Sequence, residues 1–108
     1  MLSNNVKLVV FVPTSHADIV RQTLGKVGAG KIGNYDFCSF SSRGFGRFKG
    51  NEFSNPAIGE AGKYEIVEED RVEVVLPRSI LNEAVEAIKK VHPYEEVAFD
   101  IYPLENLN

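Results

Sequence analysis

The alternation of hydrophobic and polar positions predicts strands and two helices along this chain. Residues 6–12 (VKLVVFV) are almost continuously β-branched or aromatic, which is typical of a central strand, here ended by a proline. From His16 to Val27, apolar residues recur at helical spacing, which predicts a first helix that ends at Gly28. Residues 78–91 (RSILNEAVEAIKKV) form a continuous apolar stripe and predict a second, better defined helix.

The middle and the end of the chain have the residue types of strands. Residues 35–41 (YDFCSFS) and 45–48 (FGRF) predict a hairpin, which is followed by a loop rich in glycine. Residues 63–77 (KYEIVEEDRVEVVLP) alternate on both sides of a central Glu-Asp pair and predict two further strands. Residues 97–104 (VAFDIYPL) predict the last strand.

The order of these elements predicts one α+β domain. A β-α-β unit, a hairpin and an α-β unit match the ferredoxin-like plan, in which an antiparallel sheet has two helices on one face. A chain of 108 residues forms one core of ordinary size, here within about residues 6–104. Right-handed crossovers place the start of the first helix and the end of the second helix at the same end of the sheet.

Charge, the length of the apolar runs and the cysteine content indicate which partners and which compartment to expect. The formal net charge is −3 and the pI is about 5.4, which argues against binding to DNA or to anionic lipid. The N-terminal apolar run is only as long as a strand, so neither a signal peptide nor a membrane span is expected. A single cysteine, Cys38, fits a reducing compartment, so we expect the cytoplasm and a thiol buried in mid-strand.

The two histidines of the chain fall at the predicted common end of the sheet. His16 opens the first helix, and His92 follows the second in the sequence HPYEE. Two imidazoles and one carboxylate form open zinc or iron sites, so His16, His92 and Glu96 (or Glu95) are candidate ligands of a divalent metal. The alternative is that both histidines are ordinary helix-terminal residues. Tyr94 and Glu95 are candidate contacts for a small ligand at the same place.

Two further motifs have structural explanations. The glycines of GAGKIG follow a helix and precede a strand, so they predict a helix end rather than the phosphate-binding turn that opens a helix. Phe45 and Phe48, interleaved with basic residues in SSRGFGRFK, could stack on single-stranded nucleic acid, but the acidic balance favours an oligomer contact. No residue stands in a recognisable catalytic motif.

Several motifs together resemble one family. The segments GAGKIGNYDFCSF, GFGRFKG and HPYEEVAFDIYPL resemble the domain inserted in the Nif-three-like dinuclear metal centre proteins, the YqfO type, and the resemblance extends from Lys7 to Leu104. It implies a fold similar to the CutA and PII-like trimers. In that family the metal ligands belong to a flanking core domain that these 108 residues lack, so the chain looks like a free-standing copy of the insert. The insert covers the entrance to the metal cavity, which implies gating or binding rather than chemistry.

These observations favour a small regulatory module that binds a ligand or a metal and assembles as a homo-oligomer, with a trimer expected by analogy. Catalytic residues are not expected. A metal-dependent hydrolase of phosphoesters or nucleotides is the alternative, and it would need Lys31, Arg43 or Arg47 to hold phosphate. A second alternative is a protein-interaction module that uses the edge formed by residues 43–49.

Overall fold

The computed structural model describes residues 1–107 and confirms a ferredoxin-like α+β fold. Its sheet is antiparallel, with strand order β2-β3-β1-β4. Short 3₁₀ turns, Thr14–His16 and Arg78–Ile80, precede the two helices. In chain order the elements are β1 Leu2–Pro13, α1 Ala17–Lys26, β2 Phe40–Lys49, β3 Tyr64–Pro77, α2 Leu81–Val91 and β4 Phe99–Glu105.

Both helices pack on one face of the sheet, and the core lies between these two layers. Alternate residues of β1 point toward the helices because side chains alternate across a strand, and those residues are fully buried. The matching positions of β3 lie beside them, with Leu8 opposite Val74 and Val10 opposite Val72. The helices contribute the apolar stripe that their spacing predicts: Ala17, Val20, Leu24, Ala84, Val85 and Ile88.

The predicted hairpin within residues 35–48 is wrong. β2 is one continuous strand whose partner is β3, and the connection between them spans residues 50–63. The segment before β2 is not a strand, because the Gly30 amide donates to the Val75 carbonyl and the Cys38 amide to the Gly30 carbonyl. Cys38, predicted in mid-strand and buried, therefore lies before β2 and is partly exposed.

The division of residues 63–77 into two strands is also wrong, because β3 runs without a turn through Glu69 and Asp70. Both carboxylates are nearly buried and have partners on opposite faces of the sheet. On the helix face, Asp70 accepts hydrogen bonds from Thr14, Arg21 and Arg43. Burial opposes its ionisation, but these three bonds outweigh burial and lower the pKa of Asp70.

The end of the hairpin formed by β2 and β3 projects beyond the rest of the sheet. The pairing of β1 with β3 ends at Glu69, so residues 45–49 and 64–68 form a two-stranded arm. The molecule measures 49 × 26 × 23 Å along its principal axes. Because a two-stranded ribbon buries little surface by itself, the arm depends on contacts with neighbouring segments.

Within residues 1–107, every helix is too short or too polar to cross a membrane.

Candidate functional site

His92 forms the inner wall of the predicted rim. It lies at the end of α2, is 6% exposed, and its Nε2 lies 2.7 Å from the carbonyl oxygen of Phe11 near the end of β1. The amide of Tyr94 donates to Nδ1 over 3.1 Å. A carbonyl can only accept and an amide can only donate, so these two bonds fix the neutral ring with its proton on Nε2.

The surroundings of His92 keep the ring neutral. Burial lowers the pKa of His92, and the charge of His16 lowers it further. The bond to Phe11 and the nearby Glu69 carboxylate act in the opposite direction, but they do not outweigh burial. His16 stands in the turn directly after β1, so both histidines lie at the same end of the sheet, as the topology predicts.

Tyr94 extends from this rim over the face of the sheet that has no helices, which we call the open face. Its hydroxyl donates to Oε2 of Glu69 over 2.6 Å, and its ring meets Phe48 edge to face, with the ring centroids 5.6 Å apart. Burial and the bond to Glu69 raise the pKa of Tyr94, so the phenol keeps its proton at neutral pH.

A cavity of about 400 Å³ lies beside Tyr94. This volume is within the range of small-molecule sites. Most of its walls are apolar. It is lined by Phe11, Gly46, Arg47, Phe48, Pro56, Ala57, Ile58, Glu69, Tyr94, Glu95, Glu96 and Ala98.

The long connection between β2 and β3 closes one side of this cavity. The Asn55 amide donates to Oε2 of Glu95 over 3.0 Å, which ties the connection to the HPYEE segment. Pro56, Ala57 and Ile58 follow directly and form part of the wall. Two of the predicted ligand contacts, Tyr94 and Glu95, therefore line the cavity and also hold its walls in place through their hydrogen bonds.

The proposed metal ligands are not arranged as a ligand set in this structure. Both ring nitrogens of His92 are hydrogen bonded within the chain, and Nδ1 of His16 lies 2.9 Å from the Ser15 hydroxyl. Over residues 1–107, no group of three or more His, Cys, Asp or Glu side chains is placed to hold a metal ion. Metal binding by His16, His92 and Glu96 stays a prediction, which requires His92 to release one of its bonds.

The structure separates the two phenylalanines that were predicted to form an oligomer contact. Phe45 is 65% exposed, whereas Phe48, three positions further along, is half-buried against Tyr94 in the cavity. Because their positions differ by an odd number, they lie on opposite faces of β2. Of the two, only Phe45 is exposed and available for a contact with another chain.

The basic residues considered for phosphate binding do not converge. Arg43 pairs with Glu68 and Asp70 on the helix face. Lys31 lies 4.0 Å from Asp36 in the segment before β2. Of the three candidates, only Arg47 lines the cavity.

Sequence reasoning missed Glu69, which contributes a nearly buried carboxylate to the cavity. Its position in the alternating pattern of β3 signals a side chain on the face opposite to Asp70. A charged residue in mid-strand is the sign of it in the sequence. Its partner Tyr94 is 25 positions away, and no pattern connects the two.

The fold defines a ferredoxin-like α+β domain with an apolar cavity at one end of its sheet. No protein-family model matches the chain. The chain is 53% identical over 100 residues to a protein of Halalkalibacterium halodurans named GTP cyclohydrolase 1 type 2 homolog, a match that spans 93% of the chain and 27% of that relative. A relative of the same name from Bacillus subtilis is 50% identical over 99 residues, across 92% of the chain and 26% of the relative.

Solved structures show similarity to proteins of the same kind and to a second group that shares the fold. A Bacillus cereus protein related to NIF3 superposes with a TM-score of 0.80 and 46% identity, over 98% of this chain and 27% of that one. The periplasmic divalent cation tolerance protein CutA from Archaeoglobus fulgidus superposes with a TM-score of 0.68 over 94% of this chain and 85% of that one. Its identity is only 16%, so it shows a shared fold and nothing further.

The chain is a homologue of one segment of the NIF3-related proteins, which confirms the resemblance found in its motifs. It spans about a quarter of the length of the curated relatives it matches. The name of these relatives therefore refers to proteins that are about four times as long as the matched segment.

Proposed function

We propose that this chain is a ligand-binding module whose site is the cavity beside Tyr94. The observation that supports it best is the arrangement of two hydrogen bonds, Tyr94 to Glu69 and Asn55 to Glu95, around an apolar space of about 400 Å³. The first bond holds the HPYEE segment on the sheet, and the second holds the β2–β3 connection over it. A preformed apolar space with a few fixed polar groups is the usual form of a small-molecule site.

The proposal includes assembly as a homo-oligomer, for which a trimer is the expected form. The arm exposes Phe45, Tyr64 and Ile66, each more than half exposed in the single chain. Patches of large apolar side chains on a projecting ribbon are typical of contact surfaces. A ligand that changes the conformation of this module could in turn gate or regulate a larger NIF3-related protein.

An NMR fragment screen tests the site. We expect small aromatic fragments to shift the amide signals of Gly46, Ala57 and Ile58. Ala57→Phe should reduce these shifts, because the added ring occupies the cavity. Ala61→Phe is the matched control in the same connection, since Ala61 is exposed and does not line the cavity. Shifts confined to other surfaces, or equal binding by both variants, would contradict the proposal.

Metal binding is the second candidate, and the shared location of His16 and His92 favours it. The charge of His16 contributes to the lowered pKa of His92, and both residues lie at the same end of the sheet. Zinc bound by both rings would displace the amide of Tyr94 or the carbonyl of Phe11 from His92. Native mass spectrometry of untagged protein with added zinc measures this directly: one metal per chain, lost in both His16→Gln and His92→Gln, supports the candidate, and a metal retained in either variant opposes it.

A further inference from the structure

The carboxylate of Glu69 is a buried charge with an incomplete set of partners. Its side chain is nearly enclosed, at 8% exposure for the whole residue. Oε2 accepts the Tyr94 hydroxyl, while Oε1 has no hydrogen-bond donor among residues 1–107 and is open to solvent, since none of the fully buried polar side-chain atoms in this range lacks a partner. Within the same described range, Glu69 forms no ion pair with a lysine, arginine or histidine. A nearly buried carboxylate with one free, accessible oxygen and no counter-ion would attract a cation that reaches it through the cavity.

Gly46 leaves room for this carboxylate at the floor of the cavity. A Cβ atom at position 46 would overlap the Glu69 carboxylate, including Oε1. At Gly44, two residues earlier on the same face of β2, an added Cβ would meet nothing within 4 Å. Both positions are glycine, but only at position 46 would an added side chain displace the Glu69 carboxylate.

The charges around the cavity are unequal. Three glutamates line it, Glu69, Glu95 and Glu96, against one arginine, Arg47. The remaining lining residues are apolar apart from the Tyr94 hydroxyl. An anionic ligand such as a nucleotide would meet this excess of negative charge, whereas an organic cation would be attracted by it.

We infer that the cavity binds a small organic cation, with a primary ammonium or similar group on Glu69 Oε1 and an aromatic or aliphatic body against Phe48 and Ile58. This inference rests on the proposed ligand-binding function and specifies the class of ligand. A small molecule fits better than a protein segment because the volume is within the range of small-molecule sites and the β2–β3 connection, tied to Glu95, closes one side of the space. The ammonium would donate a charge-assisted hydrogen bond to the carboxylate, while Tyr94 keeps its own bond to Oε2.

Three probes of nearly equal shape test the class of ligand. These are 2-phenylethylamine, 2-phenylethanol and 3-phenylpropanoate, titrated against the whole chain by NMR. We expect the amine to bind about tenfold more tightly than the alcohol, and the anion to bind most weakly. In Glu69→Gln the advantage of the amine over the alcohol should fall to within about threefold.

Two glycine variants keep the test valid if Glu69→Gln does not fold. Gly46→Ala should remove most of the advantage of the amine, because the new methyl group displaces the carboxylate. Gly44→Ala is the matched control and should keep that advantage. Equal affinity for all three probes, with shifts in the cavity, would overturn the inference about charge and leave the proposed site intact. Failure of every probe to shift the cavity signals would overturn both.

Discussion

At the scale of single residues, His92 connects the core to the rim. Its Nε2 proton is donated to Phe11 in a central strand, and its Nδ1 accepts the amide of Tyr94, whose side chain forms the cavity wall. A protonated ring has no acceptor, so protonation would break the bond to Tyr94. The same imidazole therefore supports both the fold and the position of Tyr94.

The lowered pKa of His92 predicts that the protein loses stability in mild acid. Above the unshifted value of 6.5 the ring is neutral in both the folded and the unfolded chain. As the pH falls below 6.5, the unfolded chain binds a proton that the folded one resists, so the free energy of unfolding decreases until the pH reaches the lower pKa of the folded state. One proton accounts for at most about 1.4 kcal/mol per pH unit.

Urea unfolding between pH 7.5 and 5 measures this effect. We expect His92→Gln to be less stable than the native chain at pH 7.5 and to show a much flatter dependence on pH. His16→Gln, an exposed neighbour at the same rim, should keep most of the slope. An unchanged slope in His92→Gln would show that another group is responsible.

At the scale of elements, Asp70 joins β3 to three other parts of the chain. Its carboxylate accepts bonds from Thr14 in the turn after β1, from Arg21 on α1 and from Arg43 on β2. These bonds fix the first helix relative to the edge of the sheet. They also explain why β3 continues through an acidic pair that resembles a turn.

Replacement of this carboxylate should destabilise the whole domain. We expect Asp70→Ala to cost about 2–4 kcal/mol in the free energy of unfolding, since it removes the nearly buried acceptor that Thr14, Arg21 and Arg43 share. Glu86→Ala, which removes an exposed partner of Lys89, should cost less than about 0.5 kcal/mol. Chemical denaturation at pH 7 compares the two, and similar losses would contradict a special role for Asp70.

The elements also show which features of the sequence were predictive. Helical stripes and the apolar run of β1 reflect burial within a single element, so both helices, β1 and the ferredoxin-like fold class were predicted correctly. The hairpin and the break in β3 were wrong because their causes are tertiary: Tyr94 and Arg21 provide partners for the acidic pair, and Gly30 pairs with Val75. The topology brought the two histidines to one rim, but only coordinates could show that His92 is already hydrogen bonded on both sides.

At the scale of the whole molecule, the arm is the feature whose large apolar side chains stay exposed in a single chain. Residues 45–49 and 64–68 extend past β1, and the cavity, with its wall from the β2–β3 connection, lies on their open face. On the other face, Phe45 lies diagonally across the two strands from Ile66, and both are more than half exposed. Burial of this pair against another copy would stabilise the arm and hold the cavity wall in place.

Phe45 and Phe48 provide a matched pair that separates assembly from ligand binding. We expect native chains to sediment at about three times the 12.0 kDa chain mass, and Phe45→Ser to shift this equilibrium toward the monomer by tenfold or more, because it removes an exposed apolar contact. Phe48→Ser should instead weaken fragment binding, because Phe48 packs on Tyr94 inside the cavity. Sedimentation velocity across a dilution series, together with the NMR titration, measures both effects. A native chain that is monomeric at micromolar concentration, or a Phe45→Ser variant that assembles normally, would exclude the arm as the contact between copies.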